Sequence, residues 1–171
     1  PEAAAPLFEG PSTRGIRVDN RVRSVIILEN AISLGRLGKI LTATVDAAEL
    51  APGNALLDVG CGSGVLAIEA AARGASAVGI DATPGMIDLA RESARKSGSS
   101  ALFRAGVGES LPFPAGRFDA VTSSYFLHHL PPKVKARAIR EMWRVLAPGG
   151  RLVITDYGRP TSALGQIAAL P

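Results

Sequence analysis

The chain has 171 residues, of which 47% are apolar and only 5% aromatic, and it carries a formal net charge of +4. That length and that Ala/Val/Leu-rich composition suit one domain with a three-layer core and exclude a disordered chain. The single cysteine, Cys61, excludes an internal disulfide or a cysteine metal cluster and suits a reducing, cytoplasmic setting, while every apolar run is too short to span a bilayer.

Residues 1–24 read as an irregular arm rich in Pro, Gly and Arg, with Arg14, Arg17, Arg21 and Arg23 just ahead of the apolar Val25-Ile26-Ile27-Leu28. Helical patterns follow over 25–34 and 37–50, the second halted by Ala51-Pro52-Gly53. Strand and helix patterns then alternate: strand 55–59, helix 64–73, strand 76–81, helix 85–97 and strand 101–104. Strand 118–123, helix 131–146 and strand 151–156 complete the series, with Pro148-Gly149-Gly150 as the last helix stop. Alternation of this kind predicts an α/β fold, a three-layer Rossmann-like sandwich on a mainly parallel sheet. The expected division is an N-terminal arm with helices (1–50), a ligand-binding core (51–157) and a short C-terminal segment (158–171).

The richest stretch is Leu56-Leu57-Asp58-Val59-Gly60-Cys61-Gly62-Ser63-Gly64-Val65-Leu66-Ala67. An apolar strand ends, three glycines follow on alternate positions, and a helix starts at once. Backbone N–H groups at such a turn are left bare for a nucleotide-like ligand, and the missing Cβ atoms let it come close. Gly62 to Ala67 also fits the dinucleotide pattern G-x-G-x-x-G/A. Asp58 argues against that reading, because a carboxylate beside the turn repels a pyrophosphate, whereas it suits a sulfonium and an ammonium group. A second apolar run, Ala77-Val78-Gly79-Ile80-Asp81, ends in an acid about 20 residues past the turn, where it can accept from both ribose hydroxyls. Thr83 and Pro84 then read as the N-cap and first turn of the next helix.

With Asp58, Gly60, Gly62 and Gly64 in a D-x-G-x-G-x-G turn, the chain resembles the class I S-adenosylmethionine-dependent methyltransferases. Three later segments resemble that family too: Phe103 to Phe113 ending in Leu-Pro-Phe, Phe118 to Leu130 containing His128-His129, and Glu141 to Ile154 around Pro148-Gly149-Gly150. The Leu-Pro-Phe loop, His128-His129-Leu130 and Arg159-Pro160-Thr161 are most similar to the menaquinone/ubiquinone-biosynthesis C-methyltransferases. The resemblance implies S-adenosylmethionine as cofactor and a small-molecule methyl acceptor, a quinol or related lipid-like compound. It implies cofactor contacts from Asp58, Gly60, Cys61, Gly62, Gly64, Asp81, Ala82, Met86, Val107, Gly108, Glu109 and Ser123, and no metal. Val107 stands where the family often has an acid for the adenine amino group, leaving that task to Gly108 or Glu109. Met86 is equally suited to ordinary core packing, and Cys61 reads as a small packing residue rather than a nucleophile.

Tyr125 and His128 are the candidates for a substrate contact or base, since both follow the fourth strand; capping or packing of the next helix is the competing role for the histidines. Two other functions stay open, a non-catalytic S-adenosylmethionine-binding domain and, against Asp58, a nicotinamide-dependent oxidoreductase. No basic and aromatic stacking surface suggests nucleic acid. The N-terminal basic segment could touch an anionic membrane surface. The family's sheet ends in a hairpin of two further strands, which Tyr157 to Pro171 does not supply. Strand five is therefore expected to be an open apolar edge that favours a homo-oligomer or segment exchange, the alternative being that residues 157–171 fold back over it and leave a monomer.

Overall fold

The computed structural model describes residues 37–157. Its elements are helix α1 (Leu37–Ala47), strand β1 (Ala55–Val59), helix α2 (Val65–Ala72), strand β2 (Ser76–Asp81), helix α3 (Pro84–Ser97), strand β3 (Leu102–Ala105), strand β4 (Phe118–Ser124), a 3-10 turn (Leu127–His129), helix α4 (Pro132–Val145) and strand β5 (Leu146–Thr155). The helix expected over 25–34, the arginine cluster at 14–23 and the segment 158–171 lie outside the described residues.

The five strands form one sheet in the order β3-β2-β1-β4-β5, and every pairing is parallel. This is the mainly parallel, Rossmann-like sheet expected from the alternation. β1 is central and buried along its whole length, as a parallel strand covered on both faces must be. Leu56 packs with Leu66, Ala67, Ala70, Ile87 and Ala90 on the face covered by α1, α2 and α3. Leu57 and Val59 pack with Phe118, Val121, Met142 and Val145 on the face covered by α4. Among the described residues, β3 and β5 are the two edges.

Two local details differ from the expected ones. Thr83 does occupy the N-cap position of α3, but its hydroxyl makes no capping bond. The Thr83 N–H instead donates to Asp81 Oδ1 at 2.8 Å. The strand after α4 begins at Leu146 rather than 151, because Leu146 already pairs with Phe118. From there to the next pair, Ala120 with Arg151, the chain takes two steps along β4 and five along β5. Pro148-Gly149-Gly150 forms this bulge, where proline cannot continue a helix and Gly149 takes a φ of 79°. The Leu-Pro-Phe loop is latched to α4 by its charges. Glu141 accepts from the Leu111 N–H at 2.8 Å, and Arg144 donates to the Phe113 and Leu111 carbonyls at 2.9 and 3.0 Å. The Arg144 side chain holds the Glu141 carboxyl below the ordinary glutamate range.

Candidate active site

A parallel sheet brings the C-terminal ends of its strands to one edge, and here these are Val59, Asp81, Ala105, Ser124 and Thr155. The chain order reverses at β1, which has β2 on one side and β4 on the other, and a ligand crevice belongs at such a switch point.

The glycine turn crosses this edge. The Gly60 and Cys61 N–H groups both donate to the Ile80 carbonyl, at 2.8 and 3.0 Å, and Gly64 N–H donates to Cys61 O at 2.9 Å. Gly60, Gly62 and Gly64 all have left-handed φ values, of 76°, 51° and 83°. Their surroundings differ sharply. A Cβ on Gly60 would overlap the Phe126 ring, whereas one on Gly62 would meet nothing within 4 Å. Gly62 is thus the open side of the turn. Its N–H donates to Asp81 Oδ2 at 3.0 Å, so one carboxylate ties the turn to the start of α3. Each Asp81 oxygen keeps acceptor capacity for a further donor such as a ribose hydroxyl.

These contrasts yield a prediction. Gly60→Ala should lose roughly 2–5 kcal/mol of stability in urea unfolding, since backbone strain and a ring overlap add. Gly62→Ala should lose only the strain, about 1 kcal/mol, and show its larger effect on cofactor affinity. Similar unfolding midpoints for the two variants would mean that Phe126 swings freely off the turn.

Asp58 is not presented on the turn as its charge suggested. It is 3% exposed, and Thr122 Oγ1 donates to its Oδ1 at 2.9 Å from the neighbouring strand. Burial pushes its pKa up to about 7, and the nearby Asp81 charge pushes the same way. The carboxyl lies beneath the turn, half protonated near neutral pH until a cation comes close enough to favour its charged form. Ser123 also departs from expectation. Its hydroxyl donates to the Val59 carbonyl at 2.9 Å inside the sheet, so the side chain is committed to the core. Ser124 Oγ is buried and has no hydrogen-bond partner among the described residues.

The remaining expected cofactor residues surround the same edge. Cys61 is buried, with its sulfur 2.8 Å from where a Gly79 Cβ would stand, and burial pushes its thiol pKa well up. Met86 is buried at the start of α3, and Ala82 is half-buried. Val107 bridges to Ser110, Gly108 packs under Phe126 and Val59, and Glu109 is half-buried.

Tyr125 and His128 come together after β4. Tyr125 takes a φ of 52°, costly for a residue with a Cβ, and its N–H donates to Thr155 O at 2.8 Å. His128 meets a partner that sequence reasoning overlooked. Asp156 Oδ1 lies 2.6 Å from His128 Nδ1, and Asp156 Oδ2 accepts the His128 N–H at 3.0 Å. A carboxylate can only accept, so the ring carries a proton on Nδ1, and in the neutral imidazole the lone pair falls on Nε2. Tyr157 completes the wall, its ring 4.9 Å from both the Tyr125 and His128 rings. The His129 ring lies 3.8 Å from that of His128 and is tilted 45° to it, and burial lowers its pKa below the ordinary histidine value. In the sequence Asp156 closes a short apolar run as Asp58 and Asp81 do, and that shared signal could have found it.

Residues 56–150 match a family described as a methyltransferase domain. The chain belongs to that family. Over 111 residues it is 41% identical to a demethylmenaquinone methyltransferase of Deinococcus radiodurans, covering 64% of this chain and 45% of that protein. A demethylmenaquinone methyltransferase of Beutenbergia cavernae is 36% identical over 156 residues, covering 91% of this chain and 62% of its own length. The crystal structure of the YcgJ protein from Bacillus subtilis superposes with a TM-score of 0.65 at 33% identity, covering 73% of this chain and 53% of that one. The chain spans about half the length of the curated relatives it matches. Methyltransferases of this fold take S-adenosylmethionine. The donor set of this methyltransferase domain suits that cofactor: an open glycine, a carboxylate anchored at the turn and, among the described residues, an unpartnered buried hydroxyl and a buried carboxyl with no cation beside it.

Proposed function

We propose that this chain transfers a methyl group to a small hydroxylated aromatic acceptor of the demethylated-quinol type. The observation that supports it best is the His128–Asp156 pair, which leaves an imidazole lone pair beside the Tyr125 and Tyr157 rings at the cofactor edge. The names of the Deinococcus and Beutenbergia relatives point to the same acceptor class.

S-adenosylmethionine supplies a methyl group on a sulfonium, an electrophile that needs no further activation. The protein's own tasks are to hold the partners in line and to take a proton. Asp81 and the Gly60–Gly64 turn would hold the nucleoside, and Asp58 and Ser124 would face its cationic and polar end. His128 Nε2 would accept the proton of the acceptor's hydroxyl, raising electron density on the ring carbon to be methylated. The resulting imidazolium would be stabilised by Asp156. The two tyrosine rings offer a flat apolar wall for an aromatic acceptor.

Incubation with methyl-labelled S-adenosylmethionine and a panel of demethylated quinols, simple phenols, carboxylates and amines tests the reading. Label should appear in the quinols first. Label entering carboxylates or amines instead would refute the acceptor class, and cofactor binding with no transfer to any of them would favour a binding-only domain. A companion prediction concerns the cofactor alone. Asp81→Ala should weaken calorimetric S-adenosylmethionine binding by about 1.5–3 kcal/mol, the size of hydrogen bonds to a charged acceptor. Unchanged affinity would move the ribose elsewhere.

A further inference from the structure

Helix α4 covers the sheet with Ala138, Met142 and Val145, all fully buried. Its opposite face is exposed and divides lengthwise. Lys133, Arg137, Arg140 and Arg144 recur at helical spacing along one side, and Ala136, Ile139 and Trp143 run along the other. Trp143 is 67% exposed and Ile139 36%, whereas Met142 and Val145 of the same helix are fully buried. The helix contains one acid, Glu141, and it is already paired with Arg144. Lys133, Arg137 and Arg140 therefore face outward with no compensating carboxylate on their own helix.

We propose that this face of α4 docks on an anionic phospholipid surface. A helix that sets a row of cations beside a tryptophan and an aliphatic side chain matches the chemistry of a lipid interface. The cations meet phosphates, and the indole seats at headgroup depth with its ring in the apolar layer. The helix cannot cross the bilayer: none among the described residues is long and apolar enough. It would lie along the surface, with Pro132 and Lys133 at the strand-end edge that carries His128. This contact is distinct from the N-terminal arginine segment and holds whatever the methyl acceptor is.

The single tryptophan of the chain, Trp143, reports on the face directly. The full 171-residue chain is titrated with vesicles of phosphatidylcholine alone and with vesicles carrying about 30% phosphatidylglycerol. Emission should shift to the blue, and lipids brominated near the headgroup should quench it, only with the anionic vesicles. Binding should fade as salt shortens the screening length. The double variant Arg137→Glu, Arg140→Glu keeps the reporter and should weaken vesicle association at least about tenfold while retaining the parent's unfolding midpoint. Four outcomes overturn the proposal. Vesicle binding without a tryptophan shift, or equal binding by the double variant, assigns the contact to another segment. A shift on oligonucleotides but not on vesicles assigns the face to nucleic acid. A concentration-dependent shift without lipid assigns it to a second copy of the chain.

Discussion

Replacing His128 by alanine should lower turnover of the methyl acceptor about 100- to 10,000-fold and leave S-adenosylmethionine affinity intact. The expectation rests on the 2.6 Å contact between His128 Nδ1 and Asp156, which fixes the ring and leaves Nε2 to take a proton. Added imidazole should restore part of the activity to the alanine variant. Asp156→Asn tests the positioning role. Asp156 accepts three N–H groups in the native protein, from the His128 ring, the His128 backbone and the Tyr157 backbone. An asparagine has one acceptor oxygen and two donor hydrogens, so at least one of those partners must let go. Turnover should fall while KM for the acceptor stays near the parent value. A rise in KM alone, or full activity in the His128 variant, would show that the imidazole binds rather than moves protons.

The second large effect concerns Asp58 and stability. Its folded pKa is about 7 against the 3.8 of an ordinary aspartate, with burial as the main cause. Between those values the folded protein keeps a proton that the unfolded chain has released. The stabilisation from that proton is complete below about pH 4 and is lost as pH rises through about 7, at roughly 1.4 kcal/mol per unit. Across the window the loss amounts to about 4 kcal/mol. Asp58→Asn should remove this slope, and above pH 7 it should make the cofactor-free protein more stable than the parent. Its affinity for the cationic cofactor should drop at the same time. Glu141 does not blur the measurement: Arg144 lowers its pKa, so its contribution is lost only as pH falls below the ordinary glutamate range. Urea unfolding from pH 5 to 8 decides the matter. An unchanged slope in the variant would place the titration on another group.

Much of this architecture is legible in the amino-acid sequence. Periodicity and punctuation placed five strands in the right order of occurrence, since Gly, Pro and apolar runs act locally. The glycine turn and Asp81 were legible for the same reason, being one strand end and one tight turn apiece. What escaped was whatever depends on a neighbour distant in sequence. Asp58 reads as a carboxylate presented beside the turn, because nothing local says that Thr122, 64 residues on, buries beside it. Ser123 and Ser124 look alike in the sequence, yet the pleat sends one hydroxyl to Val59 and leaves the other unpartnered. The bulge at Pro148-Gly149-Gly150 was visible as a break, but the pairing of Leu146 with Phe118 across it was not.

Phe103 carries a consequence of another kind. Its ring occupies the space that side chains would need on both Gly64 and Gly79, with ring atoms 2.6 and 2.7 Å from where those Cβ atoms would stand. One aromatic on the edge strand thus serves as the shared missing side chain of two glycines from different elements. The three positions share one volume, bounded also by Ala90 beside Gly64 and by Cys61 beside Gly79, so a change at one is expected to be coupled to the others. A chain that enlarged Gly64 alone would jam, and one that trimmed Phe103 alone would leave a hollow beneath the turn. Gly64→Ala with Phe103→Leu should therefore fare better than the sum of its parts, and a double-mutant cycle would read that coupling directly.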